Sequence, residues 1–66
     1  MKVETKRIIN LMGKNLLTQY VLAEEAGVSR ATINSTLLKG SCSAQTVGKI
    51  ARALGVDPAD IVGKEE

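Results

Sequence analysis

Four times in this chain a short polar residue stands between two apolar ones at a fixed spacing: Thr18 between Leu17 and Leu22, Ser29 between Val28 and Ile33, Ser43 between Cys42 and Val47, and Asp57 between Val56 and Ile61. The spacing has a physical meaning. The first turn of a helix leaves backbone N–H groups without partners, and a Thr, Ser or Asp just ahead of it accepts one of them. The apolar residue before that cap then packs on the fourth helical residue and sets the direction in which the chain enters the helix. Pro58 follows Asp57 at the first helical position, where a missing N–H costs nothing. One such start is common in any sequence. Four of them commit the chain to a series of short helices.

The stops agree with the starts. Gly27, Gly40 and Gly55 each follow a helical stretch at the point where a left-handed residue ends it. Together these signals predict helices over 4–13, 19–26, 30–38, 44–54 and 58–62. The first has two possible ends, Gly13 or Asn15. Nowhere do β-branched and polar residues alternate over a useful length, so strands are not expected. The expected fold is all-α, with five helices in one domain spanning 1–66, since a chain of 66 residues leaves no room for a second.

Composition narrows what such a domain does. With one Tyr and no Phe or Trp, the core is aliphatic, and a chain this short has no mass left to wall a substrate cleft. There is no His and one Cys, which excludes an internal disulfide and a His/Cys metal cluster, so no cofactor is expected and a reducing cytoplasm suits the chain. Met1-Lys2-Val3-Glu4 carries no apolar signal region, and no run approaches the roughly 18 apolar residues of a membrane span. No nucleophile–base pair and no phosphate-cradling glycine loop is present, so an enzyme is not expected. The net charge of +2 is unevenly spread: Asp57, Asp60, Glu65 and Glu66 gather at the end, while residues 1–56 hold every base except Lys64 against only Glu4, Glu24 and Glu25. A basic body with an acidic end suits a polyanionic partner.

The second and third helices are joined only through Gly27, Val28 and Ser29, and so short a turn imposes the sharp angle of a helix-turn-helix over 19–38. Ala23 is small enough for the two helices to cross closely. At 100° per residue, Ile33 and Leu37 share the inner face of the third helix; Ala31, Asn34 and Ser35 point outward, with Arg30 at the leading edge. In such a pair the second helix enters a DNA major groove N-terminus first. The outer residues suit base edges: Arg pairs with guanine, Asn with adenine, and an Ala methyl packs on a thymine methyl.

The run Gln19-Tyr20-Val21-Leu22-Ala23-Glu24-Glu25-Ala26-Gly27-Val28-Ser29-Arg30-Ala31-Thr32-Ile33 resembles the Cro/XRE family of lambda-repressor-like regulators, and 49–61 is similar to that family's fourth and fifth helices. The resemblance implies a five-helix domain that binds operator DNA as a dimer. It implies that Gln19 and Thr32 touch phosphates, that Ser29, Arg30 and Ala31 lead into the groove, that Asn34 and Ser35 lie further along it, and that Lys39, Gly40 and Ser41 add phosphate contacts. Two positions depart from the pattern. Met12 and Leu37 stand where many members carry an Arg–Glu ion pair, which an apolar contact replaces without necessary loss of stability. The loop from Lys39 to Ser43 is about one residue short of the family's usual length, which weakens the carry-over of its contacts.

Other residues carry plainer readings. Cys42 is the small apolar half of a staple, Met12 is core filler, and Glu24, Glu25, Lys6 and Arg7 solubilise the surface. Tyr20 either packs at the domain edge or donates its hydroxyl to a phosphate, and it is counted with the DNA-binding candidates. Leu38 turns outward, covering the helix end or meeting a sugar or base. The expected function is a sequence-specific, double-stranded DNA-binding transcriptional repressor on a near-palindromic operator. It would act as a weak homodimer through the fifth helix and C-terminal tail, with Ile61 and Val62 as contacts. The rival is a protein-interaction module, an antitoxin or adaptor, on the same fold.

Overall fold

The computed structural model describes residues 1–63. Its elements are α1 (Thr5–Lys14), α2 (Gln19–Ala26), α3 (Arg30–Lys39), α4 (Ala44–Leu54) and one turn of 3-10 helix at Pro58–Asp60. The four sequence-marked starts are made as expected. Thr18 Oγ1 accepts from the Val21 N–H at 3.2 Å, Ser29 Oγ from Thr32 at 3.1 Å, Ser43 Oγ from Thr46 at 3.2 Å and Asp57 Oδ1 from Ala59 at 2.9 Å. The Asp57 cap is doubled, because its own N–H donates to Asp60 Oδ2 at 3.2 Å. α1, which lacked the signature, lacks the bond as well: Glu4 makes no side-chain cap. Of its two possible ends α1 takes the later one, with Asn15 donating from Nδ2 to the Leu11 carbonyl at 2.8 Å.

The helices enclose one aliphatic core. α4 contributes Val47, Ile50, Ala51 and Leu54, a helical i, i+3, i+4, i+7 stripe, and α1 contributes Ile8 and Met12. α2 supplies Leu22, Ala23 and Ala26 and packs against both α3 and α4. From α3 come Ile33 and Thr36, with Leu37 half-buried beside them. Met12 and Leu37, the positions at which the resemblance leads one to expect an ion pair, both belong to this apolar assembly. Ile8, Leu22, Ile33, Ile50 and Ile61 are each about fully buried, and burial of a side chain of that size contributes roughly 1.5–3 kcal/mol. Thr36 is the one buried polar side chain among the described residues, and it is satisfied: its Oγ1 donates to the Thr32 carbonyl at 2.8 Å.

The fifth helix expected over 58–62 forms only as one 3-10 turn, Pro58–Asp60. It stops after Asp60, and the reason lies in what its last residues pair with. Residues 1–4 run between two other segments of backbone. On one side the Glu4 N–H donates to the Ile61 carbonyl at 2.8 Å, the Gly63 N–H donates to the Lys2 carbonyl at 2.9 Å, and Val3 and Val62 form an antiparallel bridge. On the other, the Val3 N–H donates to the Gly40 carbonyl and the Cys42 N–H to the Met1 carbonyl, both at 2.9 Å, with Lys2 bridged to Ser41. Groups that a longer helix would turn inward on itself are spent on this cross-connection. The bridges are isolated, and no strand forms among the described residues.

The same geometry corrects the dimer contact. Ile61 is 0% exposed and sits in the core, so it is not available to a second protomer. Val62 is half-buried against that core. Residues 64–66 of the expected tail interface lie outside the described residues.

Candidate functional site

The angle between α2 and α3 is made by Gly27, Val28 and Ser29. Gly27 has φ +74°, a left-handed conformation that costs a residue with a Cβ, and from there its N–H reaches the Ala23 carbonyl at 2.9 Å. The Val28 N–H donates to the same carbonyl at 3.0 Å. Val28 then packs on the core and Ser29 starts α3. Every step of the turn is thus held by a bond or a buried contact, and α3 leaves it in a defined direction.

α3 presents its two faces as the sequence predicts. Ile33 and Thr36 are buried, whereas Arg30, Ala31, Asn34 and Leu38 are exposed and Ser35 is half-exposed. Ala31, Asn34, Ser35 and Leu38 follow the helical i, i+3, i+4, i+7 spacing and so lie on one face. Gln19, at the start of α2, joins Arg30, Ala31 and Asn34 around a shallow depression of about 330 Å³. Four expected site residues from two helices therefore share one small surface.

The remaining site residues are placed less uniformly. Ser29 and Thr32 are joined to each other, Oγ to Oγ1 at 2.9 Å, as well as through the cap bond. Their hydroxyls form one unit that retains a single free proton, so one of the pair at a time donates to an outside acceptor. Lys39 is exposed at the last position of α3. The loop that follows is tied down by Met1, Lys2 and Val3, and its Cys42 N–H is already used. Tyr20 is 55% exposed, and its ring lies under a guanidinium: the Arg30 Cζ is 5.9 Å from the ring centroid. The sequence holds no signal for this pairing, because the two residues are ten apart on different helices and meet only through the angle of the turn.

A larger hollow, about 470 Å³, lies elsewhere, between α1 and the 3-10 turn, lined by Glu4, Lys6, Arg7, Asn10, Ala59 and Asp60. It mixes acids with bases, which does not suit a polyphosphate backbone. Among the described residues no cluster of His, Cys, Asp and Glu is arranged to hold a metal ion, and no helix is long and apolar enough to cross a membrane.

An exposed helix face carrying Ala31, Asn34 and Ser35 with Arg30 at its leading end, capped by Ser29 and held against a second helix by a three-residue turn, defines a DNA-binding domain of the helix-turn-helix class. A family model for the Cro/C1-type HTH DNA-binding domain matches residues 7–65, and the chain belongs to that family. No curated protein matches the chain. The family model spans α2, the turn and α3 in full, together with most of α1 and all of α4.

Proposed function

We propose that this domain, 1–66 as a unit, is a sequence-specific binder of double-stranded DNA that regulates transcription from the cytoplasm as a repressor. The observation that carries this reading is the grouping of Gln19, Arg30, Ala31 and Asn34 around one exposed depression at the leading end of α3. Arg30, Ala31, Asn34 and Ser35 read base edges, through guanidinium and amide hydrogen bonds and the Ala31 methyl. Gln19, the Ser29–Thr32 hydroxyl pair and Lys39 bind phosphates, which fixes position but not sequence. Repression follows from occupancy: a protein seated in a major groove keeps other proteins from that DNA. No step needs a cofactor or a metal, and binding rather than catalysis is the activity.

One such module contacts few base pairs, so useful affinity calls for two copies on a near-palindromic site with half-sites about 34 Å apart. With Ile61 in the core, the exposed residues Asp57–Asp60 and Val62 are what remain of the expected dimer surface among the described residues. The interface is accordingly small, and the dimer forms mainly on DNA.

The test is the salt dependence of binding to random-sequence duplex, followed by fluorescence anisotropy of labelled DNA. Each phosphate neutralised adds about −0.9 to the slope of log K against log salt. The expected result is a clear negative linear slope. A flat line removes the phosphate contacts and with them a DNA-binding function.

A further inference from the structure

We infer that Tyr20 is a positioning residue for base recognition, its ring serving as a platform that holds the Arg30 guanidinium at the leading end of the reading face. The inference rests on the DNA-reading function proposed above. An arginine at the first position of a helix has four rotatable side-chain bonds and, when exposed, samples many directions; pairing bidentately with guanine requires one of them. Arg30 forms no ion pair among the described residues, so no carboxylate aims it. What does stand against it is the Tyr20 ring, 5.9 Å from centroid to Cζ, within the distance at which a ring face attracts a guanidinium. Tyr20 is well placed for this work. It sits in the first turn of α2, which is packed against α3, and the Gly27–Ser29 turn fixes the angle between the two helices. Its neighbour Gln19 lines the same depression as Arg30. The contribution of the ring is conformational: it narrows the range of Arg30 directions before DNA arrives, which lowers the ordering cost of the correct contact.

A ring platform and a phosphate-binding hydroxyl make opposite predictions. The platform affects discrimination between bases, and the hydroxyl affects affinity for any duplex. The experiment uses the full chain and three duplexes: one selected from random sequence by the wild type, one altered at the base pair where Arg30→Ala loses discrimination, and one of random sequence. Tyr20→Leu is expected to lower the selected-to-altered affinity ratio by about two- to five-fold, the range of an exposed cation–π contact, with little change on random duplex. Tyr20→Phe keeps the ring and restores the ratio. The double variant Tyr20→Leu with Arg30→Ala discriminates no worse than Arg30→Ala alone, because the ring has nothing left to position. Uniform loss on all three duplexes with Tyr20→Phe, or additive losses in the double variant, overturns the platform.

Tyr20 is the only aromatic residue of the chain, so the free protein gives a separate readout. The Arg30 side-chain protons over its ring shift upfield in the NMR spectrum, and the shift disappears in Tyr20→Leu. Absence of that shift in the wild type overturns the Tyr20–Arg30 contact while leaving DNA reading intact. Its presence in a wild type that does not discriminate between duplexes overturns the DNA-reading function instead.

Discussion

Ile61→Ala lowers the unfolding free energy by about 2–5 kcal/mol, the range for truncating a fully buried Ile to Ala. Ile61 is 0% exposed, and its carbonyl accepts the Glu4 N–H, so it anchors both the core and the connection to residues 1–4. The lost methylenes forfeit burial and leave a cavity, and a chain of 66 residues has few neighbours able to collapse into it. Since small domains have only about 5–15 kcal/mol in total, this loss removes a large fraction of the stability. Urea unfolding at a single low protein concentration checks this through a fall in midpoint. If Ile61 instead lined a protomer interface, the loss would appear only at protein concentrations high enough for association, and a variant midpoint equal to the wild type's at low concentration would contradict its place in the core.

Arg30→Ala costs about 1–3 kcal/mol of binding to the preferred duplex and relaxes sequence preference at one position in each half-site. Arg30 is exposed at the first position of α3, and its substitution leaves the Ser29 cap and the Ile33 core contact in place, so the fold is retained. Competition binding against a panel of single-base variants gives both readings from one series. Equal losses on preferred and random duplexes would assign Arg30 to phosphate, and the reading role would then pass to Asn34 and Ser35.

How much of this was legible in the sequence follows from the range of the forces involved. Caps, staples and glycine stops act over about six residues, which is why Thr18, Ser29, Ser43, Asp57 and the three stop glycines were readable one by one, and why α2, α3 and α4 fall where they do. The faces of α3 followed from helical spacing alone. The shortening of the helix at 58–62 is a long-range effect. Asp57 and Pro58 do start a helix, but its extension competes with backbone pairing to residues 2–4, more than fifty positions away, and no local signal in Lys2 or Val3 announces that. Leu16 shows the same limit: it adopts φ +55° while 91% exposed, in a loop whose course is set by helices on either side. At the site, the grouping of Gln19 with α3 was carried by the family resemblance. The seat of Tyr20 under Arg30 was not, since it depends on the angle between two helices.

In the proposed function, DNA meets this protein at the start of α3. Titrating the 15N-labelled chain with a duplex selected by the protein, and following each backbone amide by NMR, tests it directly. Saturable shifts are expected to concentrate at Gln19 and Tyr20, at residues 29–35 and near Lys39, with small changes along the buried face of α4. The largest shifts falling instead at Lys6, Arg7 and Asn10 in the α1 hollow, or no saturable shifts at all, would contradict it.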